Sequence, residues 1–189
     1  MAVPAERRLR LGVIGLGRAF SLTSPAFRAA SHEIALMAAA DPRPEARARF
    51  AQEFGGKAYE SVDAFLHDAP IDAVYIASPH QFHAVQTIAA AEAGKHVLVE
   101  KPMALTLSEA EAMVAAAQRA RVKLLVGHTH SFDAPIAATR AIIESGEFGP
   151  VRLITALNFT DFLYRPRRAE ELDTAQGGGV IFNQALHQI

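Results

Sequence analysis

Two glycines and one aspartate have the residue types and the spacing that can hold a dinucleotide. Gly15 and Gly17 follow a predicted strand over residues 9–15 and precede a predicted helix, so the backbone there can approach a pyrophosphate at the helix N-terminus. Asp41 follows the next predicted strand, where a carboxylate can accept hydrogen bonds from both ribose hydroxyls of NAD. Together the three residues predict a site for NAD.

Arg43 leaves NADP as an alternative cofactor. It lies two residues after Asp41, where a guanidinium can bind the 2′-phosphate of NADP, although we favour NAD. Further cofactor contacts are expected from the residues that follow the second glycine: Arg18, Ala19 and Phe20.

Two residues of the predicted first helix depart from the usual dinucleotide pattern. Phe20 stands where a third small residue normally lets the helix pack closely on the first strand, so we expect it to push the helix away. Pro25 would disrupt a helix interior, unless the helix begins near Ser24. A tight turn in an α/β protein that binds no nucleotide is the alternative interpretation.

Lys101 is the candidate for proton transfer. The sequence Glu100-Lys101-Pro102 directly follows an apolar strand, so the lysine projects at the carboxyl edge of the sheet, where open α/β sheets bind their ligands. A solvated surface lysine is the alternative. The residues after the neighbouring strand are expected to line the cofactor crevice, and the two histidines among them could instead cap a helix: Ser78, Pro79, His80 and His83.

The elements that must position these residues alternate along the chain. Short aliphatic runs at residues 9–15, 33–39, 73–77, 96–99 and 123–127 predict strands, and the Ala-rich segments between them predict helices. Helix boundary signals include Asp41-Pro42, Gly55-Gly56, Gly94 and the capping sequence from Thr106 to Glu109. This alternation is typical of a doubly wound, Rossmann-like α/β fold with a parallel sheet.

A second domain is expected near the end of the sequence. After Gly149-Pro150 an alternating run over residues 151–162 predicts a strand, and a charged loop and Gly177-Gly178-Gly179 follow. We assign residues 1–130 to a dinucleotide-binding domain and residues 131–189 to the beginning of a second domain. Because so few residues cannot complete a core of that type, we expect a C-terminally truncated chain.

Composition excludes several classes of function. The 189 residues carry 19 Lys and Arg against 20 Asp and Glu, so no basic surplus is available for nucleic acid. The absence of cysteine excludes disulfides and thiolate metal ligands. The longest apolar runs are too short to cross a bilayer, and we expect a cytoplasmic protein that acts on a small molecule.

The motifs taken together resemble a known family. Glu100-Lys101-Pro102, the segments 72–80 and 93–96, His83 and the terminal glycine-rich segment are similar to the glucose-fructose oxidoreductase, inositol dehydrogenase and rhizopine-catabolism oxidoreductase family. The resemblance covers essentially the whole chain. It implies a Rossmann domain followed by an α+β domain with a large open sheet, which carries substrate and often the interface of a homo-oligomer.

The resemblance also implies roles for individual residues. Lys101 would contact the nicotinamide side of the site and the reacting hydroxyl, and Pro102 is often cis in relatives. The family's acidic residue and histidine map onto Asn183 and His187, which share one face of a predicted helix. An amide cannot accept the proton, so the general base would be His187 or Lys101.

A narrower resemblance concerns the substrate. Segments 15–20, 78–83, 127–133 and 164–168 look like those of phthalate cis-4,5-dihydrodiol dehydrogenases, which also have Phe at the third glycine-loop position and lack the acidic residue at 183. The implied reaction transfers hydride from the cis-dihydrodiol to NAD and gives 4,5-dihydroxyphthalate. A sugar or polyol dehydrogenase of the same family and a non-catalytic NAD-binding regulator are the alternatives.

Several residues are weaker candidates for substrate binding. Arg165, Arg167 and Arg168 form a cationic cluster that could bind carboxylates, although the neighbouring acidic residues make a self-compensated loop an equal alternative. His128 and His130 alternate along a predicted strand end and so share a face. We favour a role in lining the site over metal binding, because no carboxylate is suitably spaced and hydride transfer needs no metal.

Overall fold

The computed structural model describes residues 8–157, 166–167, 169–176 and 178–179. The chain divides into two compact units, Met1–Val126 and Gly127–Ile189.

A parallel sheet of six strands forms the first unit. Its strands are β1 (Leu9–Ile14), β2 (Ile34–Ala40), β3 (Lys57–Tyr59), β4 (Ala73–Ile76), β5 (His96–Val99) and β6 (Leu124–Val126). Their order is β3-β2-β1-β4-β5-β6, and every neighbouring pair is parallel. The order reverses between β1 and β4, which opens a crevice at the carboxyl ends of these strands. The predicted Rossmann-like α/β fold is confirmed.

Helices cover both faces of this sheet. They are α1 (Arg18–Ala29), α2 (Pro44–Phe54), α3 (Val62–Asp68), α4 (His83–Glu92) and α5 (Leu107–Ala120), with a 3₁₀ turn at His80–Phe82. Successive strand residues face opposite layers: Val13 packs in a cluster with Phe20 and Phe50, whereas Ile14 packs in a cluster with Phe65 and Met113. Burial on both faces explains why the strands are continuously apolar.

The helix signals in the sequence have clear structural counterparts. Thr106 and Glu109 form a complete capping box at the start of α5. Gly55, with φ +72°, ends α2. Pro25 lies inside α1, contrary to the expectation that it would disrupt the helix or mark its start. The carbonyl of Ser21, which loses its usual N–H donor at position 25, instead accepts a hydrogen bond of 3.3 Å from the Ser24 hydroxyl.

The second unit differs from its prediction where it can be compared. Its described elements are a 3₁₀ turn at Thr129–Phe132, α6 (Ala134–Ser145), α7 (Ala169–Leu172) and a 3₁₀ turn at Thr174–Gln176. The predicted strand over 151–162 was wrong for residues 151–157, which form no strand. Alternating apolar residues become a strand only when a neighbouring strand pairs with them, and none does so among the described residues. The remainder of that run lies outside them.

Candidate cofactor and proton-transfer site

The glycine turn after β1 lies directly against the loop after β4. Gly15 has φ +90°, and its N–H donates to the carbonyl of Ala40 at 2.8 Å. A Cβ at Gly15 would lie 2.7 Å from the backbone N and Cα of Ser78, so only glycine permits this approach. At Gly17, by contrast, a Cβ would meet no atom within 4 Å apart from those of its own chain neighbours. The open space above Gly17 is what an approaching pyrophosphate requires.

Asp41 connects this turn to the end of β2. Its side chain is only 4% exposed, and its Oδ2 accepts a hydrogen bond of 2.8 Å from the backbone N–H of Leu16, between the two glycines. Oδ1 accepts a bond of 2.9 Å from the backbone N–H of Arg43. The carboxylate therefore positions the glycine turn, which the sequence did not indicate.

The guanidinium of Arg43 forms a bidentate contact with the Asp41 carboxylate. Nε lies 2.9 Å from Oδ1 and Nη2 lies 2.9 Å from Oδ2 of Asp41. Burial raises the pKa of the Asp41 carboxyl group, but the bonds from Arg43 and Leu16 outweigh burial and leave the pKa below its ordinary value. Both oxygens of the carboxylate thus already accept two donors each, and Arg43 occupies the positions that ribose hydroxyls would need.

The residues that follow Gly17 have separate surroundings. Arg18 is exposed at the start of α1, and Ala19 is partly buried one residue later. Phe20 is 6% exposed, and its ring packs against Phe50 and Phe54 of α2, with ring centres 6.1 and 5.8 Å away. The large side chain is therefore accommodated between α1 and α2, where the sequence led us to expect displacement of α1.

The loop after β4 places its residues at different depths. Pro79 is exposed, and Ser78 donates from Oγ to Gln86 Oε1 at 2.5 Å. His80 is partly buried, with its ring centre 5.6 Å from that of His83. His83 itself has no exposed surface, and its two ring nitrogens lie beside the carbonyls of Ser78 and Pro102. His83 therefore contacts the backbone of the loops that form the crevice and presents no surface of its own to it.

Lys101 is the second residue after β5 and directly precedes Pro102, whose carbonyl His83 contacts. The Lys101–Pro102 peptide bond is cis, as the resemblance implied, and Pro102 is buried. Burial lowers the pKa of the Lys101 ammonium below its ordinary value, while the nearby carboxylate of Glu100 opposes this shift. A partly buried lysine with a lowered pKa can reach its neutral, proton-accepting form at lower pH than a surface lysine.

Glu100 is held by a tyrosine that the sequence analysis missed. The hydroxyl of Tyr75, on β4, donates to Glu100 Oε1 at 2.6 Å, and the N–H of Lys101 donates to Glu100 Oε2 at 3.2 Å. Thr23 in turn donates to the Tyr75 oxygen at 3.3 Å. A tyrosine in an otherwise aliphatic buried strand was the available signal, because a buried hydroxyl requires a partner.

The histidine pair of the second unit does not lie on a strand. β6 ends at Val126, and His128 precedes the tight turn at Thr129–Phe132, so the expectation that alternation along a strand puts His128 and His130 on one face was wrong. The carbonyl of His128 accepts from Ser131, and His130 Nδ1 lies 2.9 Å from Asp133 Oδ2. Local hydrogen bonds favour the turn over continued strand.

Arg167 lies near an acidic residue. Its Nη1 is 3.7 Å from Glu171 Oε1, which agrees with the self-compensated alternative for this cluster. The other arginines of the cluster and both C-terminal candidates lie outside the described residues: Arg165, Arg168, Asn183 and His187.

The described residues contain neither a group of metal ligands nor a membrane-spanning helix. Among them, no three His, Asp or Glu side chains are grouped as metal ligands. No helix formed by these residues has both the length and the apolar character needed to cross a bilayer.

Known proteins similar to this chain include dehydrogenases. The family described as "Oxidoreductase family, NAD-binding Rossmann fold" (GFO_IDH_MocA) matches residues 9–128. The chain is 50% identical over 182 residues to a 1-carboxy-3-chloro-3,4-dihydroxycyclohexa-1,5-diene dehydrogenase of Comamonas testosteroni, with 96% of this chain and 46% of the relative covered.

Two solved structures extend this comparison. A protein of Bordetella bronchiseptica RB50 assigned as a dehydrogenase superimposes with a TM-score of 0.88 at 45% identity, covering 95% of this chain and 47% of that one. The WlbA dehydrogenase of Bordetella pertussis, solved with NADH and UDP-GlcNAcA, gives 0.73 at 31% identity, covering 76% and 42%. The chain thus spans about half the length of the relatives it matches.

Proposed function

Because this chain belongs to the GFO_IDH_MocA oxidoreductase family with its NAD-binding Rossmann fold, we propose that the whole protein is an NAD-dependent dehydrogenase. It takes hydride from a hydroxyl-bearing carbon of a carboxylated cis-dihydrodiol. The specific substrate we propose is the cis-4,5-dihydrodiol of phthalate, with 4,5-dihydroxyphthalate as the product.

One observation carries the proposal: three loops meet at the carboxyl edge of the sheet around Lys101. Gly15 lies against Ser78, and His83 joins Ser78 to Pro102. The loops after β1, β4 and β5 therefore form one continuous rim, with Lys101 on it. Ligands of open α/β sheets bind at such a rim.

The residues of this rim fit NAD. Gly15 and Gly17 would hold the pyrophosphate, because the space above Gly17 is open and the turn faces the N-terminus of α1. Asp41 would accept the ribose hydroxyls once the Arg43 guanidinium moves aside, and Arg43 could bind the 2′-phosphate of NADP. Further contacts are proposed from Arg18, Ala19, Phe20, Ser78, Pro79, His80 and Glu100.

The chemistry assigned to the protein is proton removal. Lys101, whose pKa is lowered by burial, takes the proton of the reacting hydroxyl, with His187 as the second candidate base and Asn183 orienting the substrate. Bound NAD would supply the hydride acceptor. Aromatisation of the ring gives the oxidation its driving force.

The substrate class rests on the relative from Comamonas testosteroni. Its name describes a dihydroxycyclohexadiene that carries a carboxyl group, and half of its aligned residues are identical to those of this chain. A carboxylated substrate needs a cation, and Arg165, Arg167 and Arg168 are the candidates. The two carboxylates of the phthalate diol go beyond that relative's printed name.

A sugar or polyol is the second candidate substrate. The Bordetella pertussis relative was solved with the sugar nucleotide UDP-GlcNAcA, so a sugar ligand occurs among similar proteins. Asn183 argues against it, since the polyol arrangement of the family pairs the histidine with an acid.

The test is NAD reduction by the whole protein with a panel of matched substrates. Mono- and dicarboxylated cis-dihydrodiols, the uncarboxylated diol, myo-inositol and aldoses are compared at equal concentration, with NAD and NADP in parallel. We expect turnover of carboxylated diols with NAD. Turnover of inositol or an aldose alone would contradict the diol assignment, and NAD binding without turnover of any of them would indicate a regulator.

A further inference from the structure

We infer that His83 is a positioning residue that holds the loops after β4 and β5 at a fixed separation, so that the cofactor side and the Lys101 side of the rim keep their relative geometry. The inference rests on the proposed function for its catalytic consequence. The contacts that support it are independent of the substrate.

His83 lies between two backbone carbonyls. Its Nδ1 is 2.8 Å from the oxygen of Pro102, and its Nε2 is 3.0 Å from the oxygen of Ser78. The residue begins α4 and has no exposed surface, so water cannot replace either contact. The two acceptors lie 24 residues apart in sequence, and one rigid ring spans them.

The His83 ring lies beyond the point where backbone pairing between β4 and β5 ends. β4 and β5 pair in register up to Ile76 and Val99, and the last bond between them runs from the N–H of Glu100 to the carbonyl of Ile76 at 2.9 Å. Beyond that bond the segments after β4 and β5 are no longer paired as strands. His83 then reconnects them two residues after each end of that bond, at Ser78 and Pro102.

Each end of this connection reaches a different part of the candidate site. Ser78 touches the glycine turn at Gly15, whereas Pro102 directly follows Lys101. Loss of the Ser78 contact should therefore affect cofactor binding, and loss of the Pro102 contact should affect proton transfer. This separation of effects would not result from a residue that only fills space in the core.

The chemistry of imidazole makes the two contacts unequal. A neutral imidazole has one N–H, so it donates to only one of the two carbonyls. Burial lowers the pKa of His83 below its ordinary value, although the two carbonyls and Glu100 oppose this shift. His80, whose ring meets that of His83 edge to face with ring centres 5.6 Å apart, is a further titratable group beside it. In the neutral form one contact is a hydrogen bond, and the other sets a ring lone pair against a carbonyl oxygen; only the protonated ring would donate to both.

The decisive experiment uses two amide substitutions that each retain one donor position. His83→Asn places its amide near the position of Nδ1 and can donate to Pro102, whereas His83→Gln reaches the position of Nε2 and can donate to Ser78. His83→Leu retains neither. His96→Asn is the matched control, because the exposed His96 also contacts a backbone group, the N–H of Lys123, but at the opposite end of β5.

We expect opposite effects in the two amide variants of the whole protein. His83→Gln should keep the Kd for NAD within about twofold and lower kcat by about 10- to 100-fold, the loss expected when a reacting group is misplaced. His83→Asn should keep kcat within about threefold and raise the Kd for NAD by about tenfold, on the scale of one lost binding contact. His83→Leu should show both losses, and His96→Asn neither.

Nuclear magnetic resonance of the ring nitrogens gives a readout that needs no substrate. We expect one His83 ring N–H to be protected from exchange with water in the wild-type protein. Rapid exchange, or equal losses of kcat and NAD affinity in the two amide variants, would overturn the inference. If His83→Leu fails to fold, the amide pair still decides. If no substrate is turned over, the proposed function fails, whereas the NAD affinities and the protected N–H still test the role of His83.

Discussion

The hydroxyl of Tyr75, on β4, donates a hydrogen bond of 2.6 Å to the carboxylate of Glu100, the residue that directly follows the neighbouring strand β5. Burial, followed by the charge of Glu100, raises the pKa of the tyrosine, so it stays a neutral donor. Glu100 in turn accepts from the N–H of Lys101. The buried tyrosine thus supports the segment that carries the candidate base.

Tyr75→Phe should therefore weaken both the fold and the site. Removing one donor from a partly buried carboxylate should cost about 1.5–3 kcal/mol of unfolding free energy. We also expect a several-fold loss of kcat with little change in the Kd for NAD. Denaturant unfolding and steady-state kinetics measure the two effects. Tyr59→Phe, another buried tyrosine whose ring packs against Phe65, is the control, and equal behaviour of the two variants would refute the role of Tyr75.

The lowered pKa of Lys101 should determine the pH at which turnover reaches its plateau. Because burial lowers its pKa, the neutral base forms below the ordinary lysine value of about 10.4, so kcat/KM should rise with pH and level off before that value. Lys101→Met should lower kcat by about 10²–10⁴ and leave NAD binding nearly unchanged. Wild-type turnover in this variant would remove Lys101 from the mechanism.

Arg43 should decide how the two cofactors are discriminated. Its guanidinium occupies the Asp41 carboxylate, so Arg43→Ala should free that carboxylate for ribose hydroxyls and leave no cation for a 2′-phosphate. We expect the Kd for NADP to rise by about tenfold or more and the Kd for NAD to stay constant or fall. Titration of both cofactors measures this, with Arg49→Ala, on the helix α2 that begins directly after Arg43, as control. A parallel change of both affinities would contradict it.

Asp41 should also make the fold sensitive to acid. Its folded pKa lies below the unfolded value of about 3.9, so its stabilising effect is fully present above that value and is lost as the pH falls through the folded pKa. Unfolding free energy measured from pH 6 to pH 2 should therefore fall less steeply in Asp41→Asn than in the wild type. Parallel curves would show that Asp41 has the same pKa in both states.

The sequence was sufficient for the parts of the site that depend on local pattern. Glycines between a strand and a helix, an acid after the next strand and a lysine after β5 follow from spacing along the chain, and the parallel sheet places them at one edge. β3 was missed because Lys57-Ala58-Tyr59 has no run of aliphatic residues, whereas β6, equally short and also at a sheet edge, is Leu124-Leu125-Val126. The pairing of β3 with β2 is a tertiary contact, which no local pattern indicates.

Contacts between distant residues explain the other differences. The binding of Asp41 by Leu16 and Arg43, and the bridge that His83 forms between two loops, depend on side-chain positions that only the folded sheet defines. Phe20 could be identified as unusual from the sequence, but the space between α1 and α2 that receives its ring could not. Such features require the three-dimensional arrangement of elements.

Gly15 and Gly17 should respond differently to the same substitution. Gly15→Ala forces φ +90° on a residue with a Cβ and brings that carbon to 2.7 Å from Ser78, so we expect a large loss of thermal stability. Gly17 has φ −85° and open space around its Cβ position, so Gly17→Ala should fold like the wild type. The same methyl group would fill the space that the pyrophosphate needs and should weaken NAD binding by about tenfold or more. Thermal melting and NAD titration of both variants provide the measurement. A Gly17→Ala protein that melts normally and binds NAD with unchanged affinity would show that the dinucleotide does not lie against this turn.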